Sequence, residues 1–179
     1  MEKQIAIRGA IYGSAFIVLA MILFFIDPVM LTGGWYGLAI VLLYLAVMVV
    51  AAVQIRSMNP VDFKVGKAFK LIFIFGVSMA VVTSVFDVVF YSAISEETHD
   101  LLLNESIESQ LEMMENFGTP QSVIDEQMPK IVEDMESRLS LSGVLPALLW
   151  KIVINAVLAI IIALIVQRRD KKNSALDAG

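Results

Sequence analysis

Four long apolar runs, parted by short polar breaks and one long acidic segment, set the pattern of this chain. They cover residues 9–26, 35–53, 69–94 and 145–166. Each approaches or exceeds the ~20 residues that a helix needs to cross ~30 Å of hydrocarbon. None alternates apolar and polar residues with period two, so helices rather than barrel strands are predicted. The breaks fit that reading. Asp27-Pro28 through Gly34 makes a short connection between the first two spans, with Trp35 and Tyr36 where an interfacial aromatic belt belongs. Ser57-Met58-Asn59-Pro60 stops the second span. Phe63, Lys64, Gly66, Lys67, Phe69 and Lys70 then mix basic heads with aromatic anchors, a composition suited to snorkelling at an interface. Lys3 and Arg8 precede the first run as in a signal peptide. That run is longer than a typical signal core and no small-x-small cleavage site follows, so an uncleaved first helix is expected.

Between the third and fourth runs the pattern changes. Residues 95–143 keep apolar positions at helical spacing, Leu103, Ile107, Leu111 and Met114 in one half, and Ile124, Met128, Ile131, Met135 and Leu139 in the other. Gly118-Thr119-Pro120 divides them. Gly suits a left-handed helix end, Thr an N-cap and Pro a first helical position, which predicts a helix stop followed by a helix start. Pro129 is expected to kink or divide the second arm. The outcome is an amphipathic helical hairpin. The predicted organisation is three membrane helices in 1–94, the hairpin in 95–143, a fourth membrane helix in 144–169 and a basic, polar tail in 170–179.

Composition strengthens the membrane reading. At 58% hydrophobic, 17% charged and mean hydropathy +0.79, the chain is more apolar than a soluble domain. The formal charge of −5 hides a strong polarity. Lys3, Arg8, Arg56, Lys64, Lys67, Lys70, Arg168, Arg169, Lys171 and Lys172 flank the spans on one side. The other side carries only Lys130 and Arg138, both within the acidic hairpin. The excess of bases places both termini in the cytoplasm and the hairpin outside. An even number of crossings agrees with it.

The sharpest chemical feature is Asp87, inside the third apolar run. A charge at that depth normally faces a partner or a wet cavity. Lys151, in the fourth run, is the partner the sequence offers. Asp87 lies about seven residues inside Ile94 and Lys151 about five inside Pro146, so both sit roughly 8–10 Å below the outer boundary. Spans three and four run in opposite directions and are joined by a hairpin, which makes them expected neighbours. Gly76, Ala80, Thr83, Asp87 and Tyr91 share one face of span three. Lys151, Asn155, Ala159 and Ala163 repeat every fourth residue on span four, and small or polar residues of this kind serve close helix contacts in lipid. An ion-paired clamp is favoured over independent snorkelling of Lys151, and over a proton- or ion-coupled site with Thr83, Tyr91 and Asn155 as relay or ligands. Gly9-x-x-x-Gly13, followed by Ser14, reads as close packing within the bundle rather than a dimer seam.

Other chemistry finds little footing. The Glu96, Glu97 and Asp100 group lacks the spacing of a calcium loop, and His99 has no second imidazole for a metal. With no cysteine, thiolate metal sites and a disulfide framework are excluded. No zincin, hydrolase or phosphate-loop motif is present, so neither catalysis nor a cofactor is expected. Nucleic-acid binding has no electrostatic basis beyond the bases that flank the spans. Met113, Met114, Met128 and Met135 are soft packing residues that suit hairpin closure or an adaptable partner surface.

Phe63-Lys64-Val65-Gly66-Lys67-Ala68-Phe69-Lys70 before span three, Gln110-Leu111-Glu112-Met113-Met114-Glu115 and 124–135 in the acidic segment, and the basic tail together resemble domain of unknown function family 4199. These are small four-span inner-membrane proteins of Bacteroidota. The resemblance covers nearly the whole chain. It implies a bacterial cytoplasmic membrane and a four-span layout, and it brings no activity and no catalytic residues. The expectation is therefore an all-α, polytopic, non-catalytic membrane protein. Its partners are the bilayer and another membrane protein or a second copy, and its role is that of an accessory or interaction subunit working through the outer hairpin. The alternative is a small proton- or cation-coupled transporter built on Asp87.

Overall fold

The computed structural model describes the backbone of residues 1–32, 34–58 and 64–176, and the side chains of all of these except 34, 35 and 168–176. Among the described residues six α-helices follow one another: α1 (Glu2–Ile26), α2 (Gly34–Ser57), α3 (Val65–Ala93), α4 (Glu96–Asn116), α5 (Gln121–Arg138) and α6 (Leu141–Leu176). A 3-10 turn, Pro28–Leu31, stands between α1 and α2. No strand occurs among the described residues. Among the described residues four segments, Glu2–Ile26, Tyr36–Ser57, Val65–Ala93 and Leu141–Gln167, are long and apolar enough to cross a membrane. The Asn59-Pro60 break, Gly33, Phe63, the Trp35 ring and the basic side chains of the tail lie outside the described residues.

The chain divides into two compact units. The first comprises Met1–Ala15, Leu43–Thr83 and Leu148–Gly179. Its core follows helical spacing: Met48, Ala51, Ala52 and Ile55 on α2, Ala68, Leu71, Ile72 and Phe75 on α3, Ala159, Ile162, Ala163 and Val166 on α6, with Ile5 from α1. Neighbouring pairs fix the helix directions. Glu2 meets Lys70 at 2.8 Å, Gly9 lies against Phe75, and Gly13 lies against Met79, so α1 and α3 run parallel. Tyr44 meets Asn155 and Arg56 meets Val166, so α2 and α6 run parallel as well. Alternate crossings of one membrane require that arrangement. The outward faces stay apolar and open: Ile7 and Ile11 on α1, Val49, Val50 and Val53 on α2, Val153, Val157, Ile160 and Ile161 on α6. So much exposed aliphatic surface would aggregate in water. In lipid it costs nothing.

The second unit comprises Phe16–Leu42 and Ser84–Ala147 and holds the hairpin. Here Phe24 of α1 packs edge-on to Phe90 of α3, with centroids 5.1 Å apart. Asp27 opens the 3-10 turn by accepting a hydrogen bond from the Val29 amide, with Pro28 in the first turn position. Ser95 caps α4 by accepting from the Thr98 amide, and Glu96 and Glu97 in the first turn complement the helix dipole. The stop of α4 is a Schellman motif. Gly118 has φ +75°, its amide donates to the Glu115 carbonyl at 2.8 Å, and the Thr119 amide reaches the Met114 carbonyl at 3.0 Å.

Three local expectations change. Pro120, not Thr119, takes the N-cap position of α5, and its carbonyl receives the Val123 and Ile124 amides. Pro129 does not divide α5, which continues from Gln121 to Arg138. Pro129 and Asp125 are both exposed, so water can satisfy the carbonyl that proline leaves without a donor. On α4 the buried residue is Leu102, while Leu103, Ile107, Leu111 and Met114 are half-buried. Two elements cover α4 here: it packs on α5 and also on the 3-10 turn. Ile124, Ile131 and Met135 of α5 are buried as the spacing predicts.

Candidate functional site: a polar node among membrane-spanning helices

Position 155 of α6 lies on a row of small residues. Ala159 and Ala163 on that row are fully covered and Asn155 is 2% exposed. Small side chains on one face let neighbouring backbones approach, so the carboxamide is carried deep into the first unit. Such a group needs partners, because no water is available in hydrocarbon. It has them. The Tyr44 hydroxyl of α2 donates to Asn155 Oδ1 at 2.5 Å, and Asn155 Nδ2 donates to the Lys151 carbonyl one turn earlier, at 2.8 Å. Gly76 of α3 supplies the third wall: a Cβ there would collide with the Asn155 carboxamide and come within 3.2 Å of the Met48 methyl. Only glycine leaves room. The node thus joins three helices at one buried point.

Toward the ends of the same helices, the Arg56 guanidinium donates to the Val166 carbonyl at 2.9 Å, a second polar tie between α2 and α6. On the other flank α1 meets α3 through glycine. A Cβ on Gly9 would run into the Phe75 carbonyl, and one on Gly13 would come within 3.1 Å of the Met79 carbonyl. Both glycines are therefore occupied inside this unit. Tyr12 adds an edge-on contact with Phe75 at 5.5 Å.

Thr83 donates its hydroxyl to the Ala80 carbonyl at 3.0 Å, within its own helix. Lys151 is half-buried in the first unit, and Asp87 is half-buried in the second. Asp87 shares a helical face with Ser84, 3% exposed, and with the half-buried Tyr91. Tyr91 also lines an open hollow of about 350 Å³ with Ile94, Glu96, His99 and Asp100. His99 Nδ1 stands 3.7 Å from Asp100 there. Among the described residues, no three histidine or acidic groups gather closely enough to hold a metal ion.

Sequence reading missed Tyr44 and Ser84. Tyr44 left one trace: a phenol far from either end of a span whose other residues nearby are aliphatic, where tyrosine prefers the interface. The node's chemistry is neutral. It contains a phenol, a carboxamide and a backbone carbonyl, which tie the helices through uncharged hydrogen bonds.

No curated protein and no solved structure matches the chain. One family model does, over residues 8–168, which takes in all four apolar helices and the hairpin except for the first turns of α1 and the end of α6. With so much of its length matched, the chain belongs to the family described as protein of unknown function (DUF4199).

Proposed function

We propose that this integral membrane protein is a non-catalytic accessory or interaction subunit of a bacterial cytoplasmic-membrane assembly. In this reading both termini are cytoplasmic and the α4–α5 hairpin stands outside, where it meets a partner protein or a second copy. The supporting observation is the division of labour in the hairpin. Its apolar residues Leu102, Ile124, Ile131 and Met135 are used within the chain, while Phe117 at the turn is 83% exposed and Met113 one turn before it is 49% exposed. Exposed acids surround them, among them Glu112, Glu115, Asp125 and Glu126. A solvated acidic surface with an aromatic tip has no task within a lone protein, and aromatic and methionine side chains are favoured at interface centres. The basic residues near the other helix ends support the orientation.

The test is affinity purification from native membranes in gentle detergent, followed by mass spectrometry. A partner recovered with the wild-type chain and lost with Phe117→Ser is expected. Monomers alone, with nothing co-purifying, would count against the proposal. A second reading, proton- or cation-coupled transport, draws support from Asp87 with Ser84 and Tyr91 on one face of α3. Flux into vesicles that is present with the wild type and abolished by Asp87→Asn would favour it. Absence of Asp87-dependent flux leaves the subunit reading in place.

A further inference from the structure

The α1–α3 register sets the depth of Arg8. Glu2 pairs with Lys70 and Gly9 abuts Phe75, so Arg8 is level with residues near 75 of α3. On α3 the stretch free of charge starts after Lys70, at Leu71, which puts the Arg8 backbone about four residues, about 6 Å, past that point. The side chain is nevertheless exposed, on a helix whose neighbouring exposed residues Ile7 and Ile11 are 50% and 61% open. Among the described residues Arg8 has no hydrogen-bond or ion-pair partner, and the nearest acid, Glu2, is committed to Lys70. A guanidinium that faces lipid at this level must reach back toward the headgroups for acceptors. Its planar fork matches a phosphate in two-point contact. Lys3 and Lys67, both exposed and nearer the helix ends, add positive charge at the same end of the unit.

We propose that Arg8, supported by Lys3 and Lys67, holds the phosphate of an anionic phospholipid whose acyl chains lie along Ile7 and Ile11 of α1. The site depends on the membrane-spanning fold and is independent of the accessory-subunit reading. The commitment to lipid rather than to a carboxylate of another protein follows from the aliphatic bed flanking the charge and from the level of the phosphates at the end of the spans.

The full-length protein in detergent, titrated with phosphatidylglycerol or phosphatidylcholine and followed by native mass spectrometry, tests this. The wild type is expected to retain phosphatidylglycerol in preference to phosphatidylcholine. Arg8→Gln is expected to weaken that retention by about tenfold, the scale of one lost charge-assisted contact, and Arg8→Lys to fall between. Lys130→Gln, on the hairpin, leaves it unchanged. Equal retention of both lipids by the wild type, or equal phosphatidylglycerol binding by wild type and Arg8→Gln, overturns the proposal. So does a protein complex that Arg8→Gln dissolves while lipid binding persists. Should Arg8→Gln fail to fold, Lys3→Gln with Lys67→Gln gives the same expected direction and the same contradictory result.

Discussion

At the scale of single residues, Asn155 decides how the first unit is put together. Removing one partner leaves a polar atom buried without water, whereas hydrogen bonds between membrane helices are individually modest. Tyr44→Phe and Asn155→Leu are each expected to lower unfolding stability in detergent by about 1 kcal/mol, and the double variant to lose less than the sum. Additive losses would show that the two side chains act separately. Gly76→Ala faces steric overlap with the carboxamide, and overpacking of this kind costs about 1–3 kcal/mol. Asn155→Ala in the same chain is expected to recover most of that loss by vacating the space. Asp87 and Lys151 call for a separate cycle: each change to Ala is expected to cost about 1–3 kcal/mol, and joint exchange to apolar residues to restore most of it. Independent losses would argue against a clamp. The sequence offered Asn155 on a row of small and polar packing residues, and as a relay or ligand beside Asp87. It did not offer Tyr44 as the partner, since the bond spans 111 positions and depends on how α2 and α6 align.

At the scale of elements, the Gly118 stop of α4 was readable because its chemistry is local, whereas the start of α5 fell on Pro120 rather than Thr119. Gly118 is legible because the backbone there is left-handed, and its own amide and that of Thr119 complete the motif. Gly118→Ala is expected to destabilise the hairpin by about 1 kcal/mol, seen as faster amide hydrogen exchange in α4 and α5 with the apolar helices unaffected. Unchanged exchange in α4 would mean that the turn does not hold the arm. The covered face of α4 was less readable. Spacing alone selects Leu103 and Ile107, yet Leu102 is the residue buried, on a helix that packs on both α5 and the 3-10 turn. Pro129 shows the opposite limit: a local rule predicts a kink or a division, yet α5 runs undivided from Gln121 to Arg138 with Pro129 on its exposed side.

At the scale of the molecule, hydropathy alone announced four membrane helices, because the need to satisfy every backbone group in lipid leaves few other solutions. Orientation rests on the distribution of lysine and arginine, and the proposed role rests on that orientation: an acidic hairpin with an exposed Phe117 has a partner to meet only if it stands on the face opposite the basic helix ends. The chain contains no cysteine, so single cysteines report position without background. The most direct test is labelling of Glu126→Cys and Lys67→Cys in intact bacterial cells with a membrane-impermeant maleimide. Glu126→Cys is expected to react in intact cells and Lys67→Cys only after permeabilisation. Reaction of Lys67→Cys in intact cells, with Glu126→Cys protected until lysis, would contradict the account.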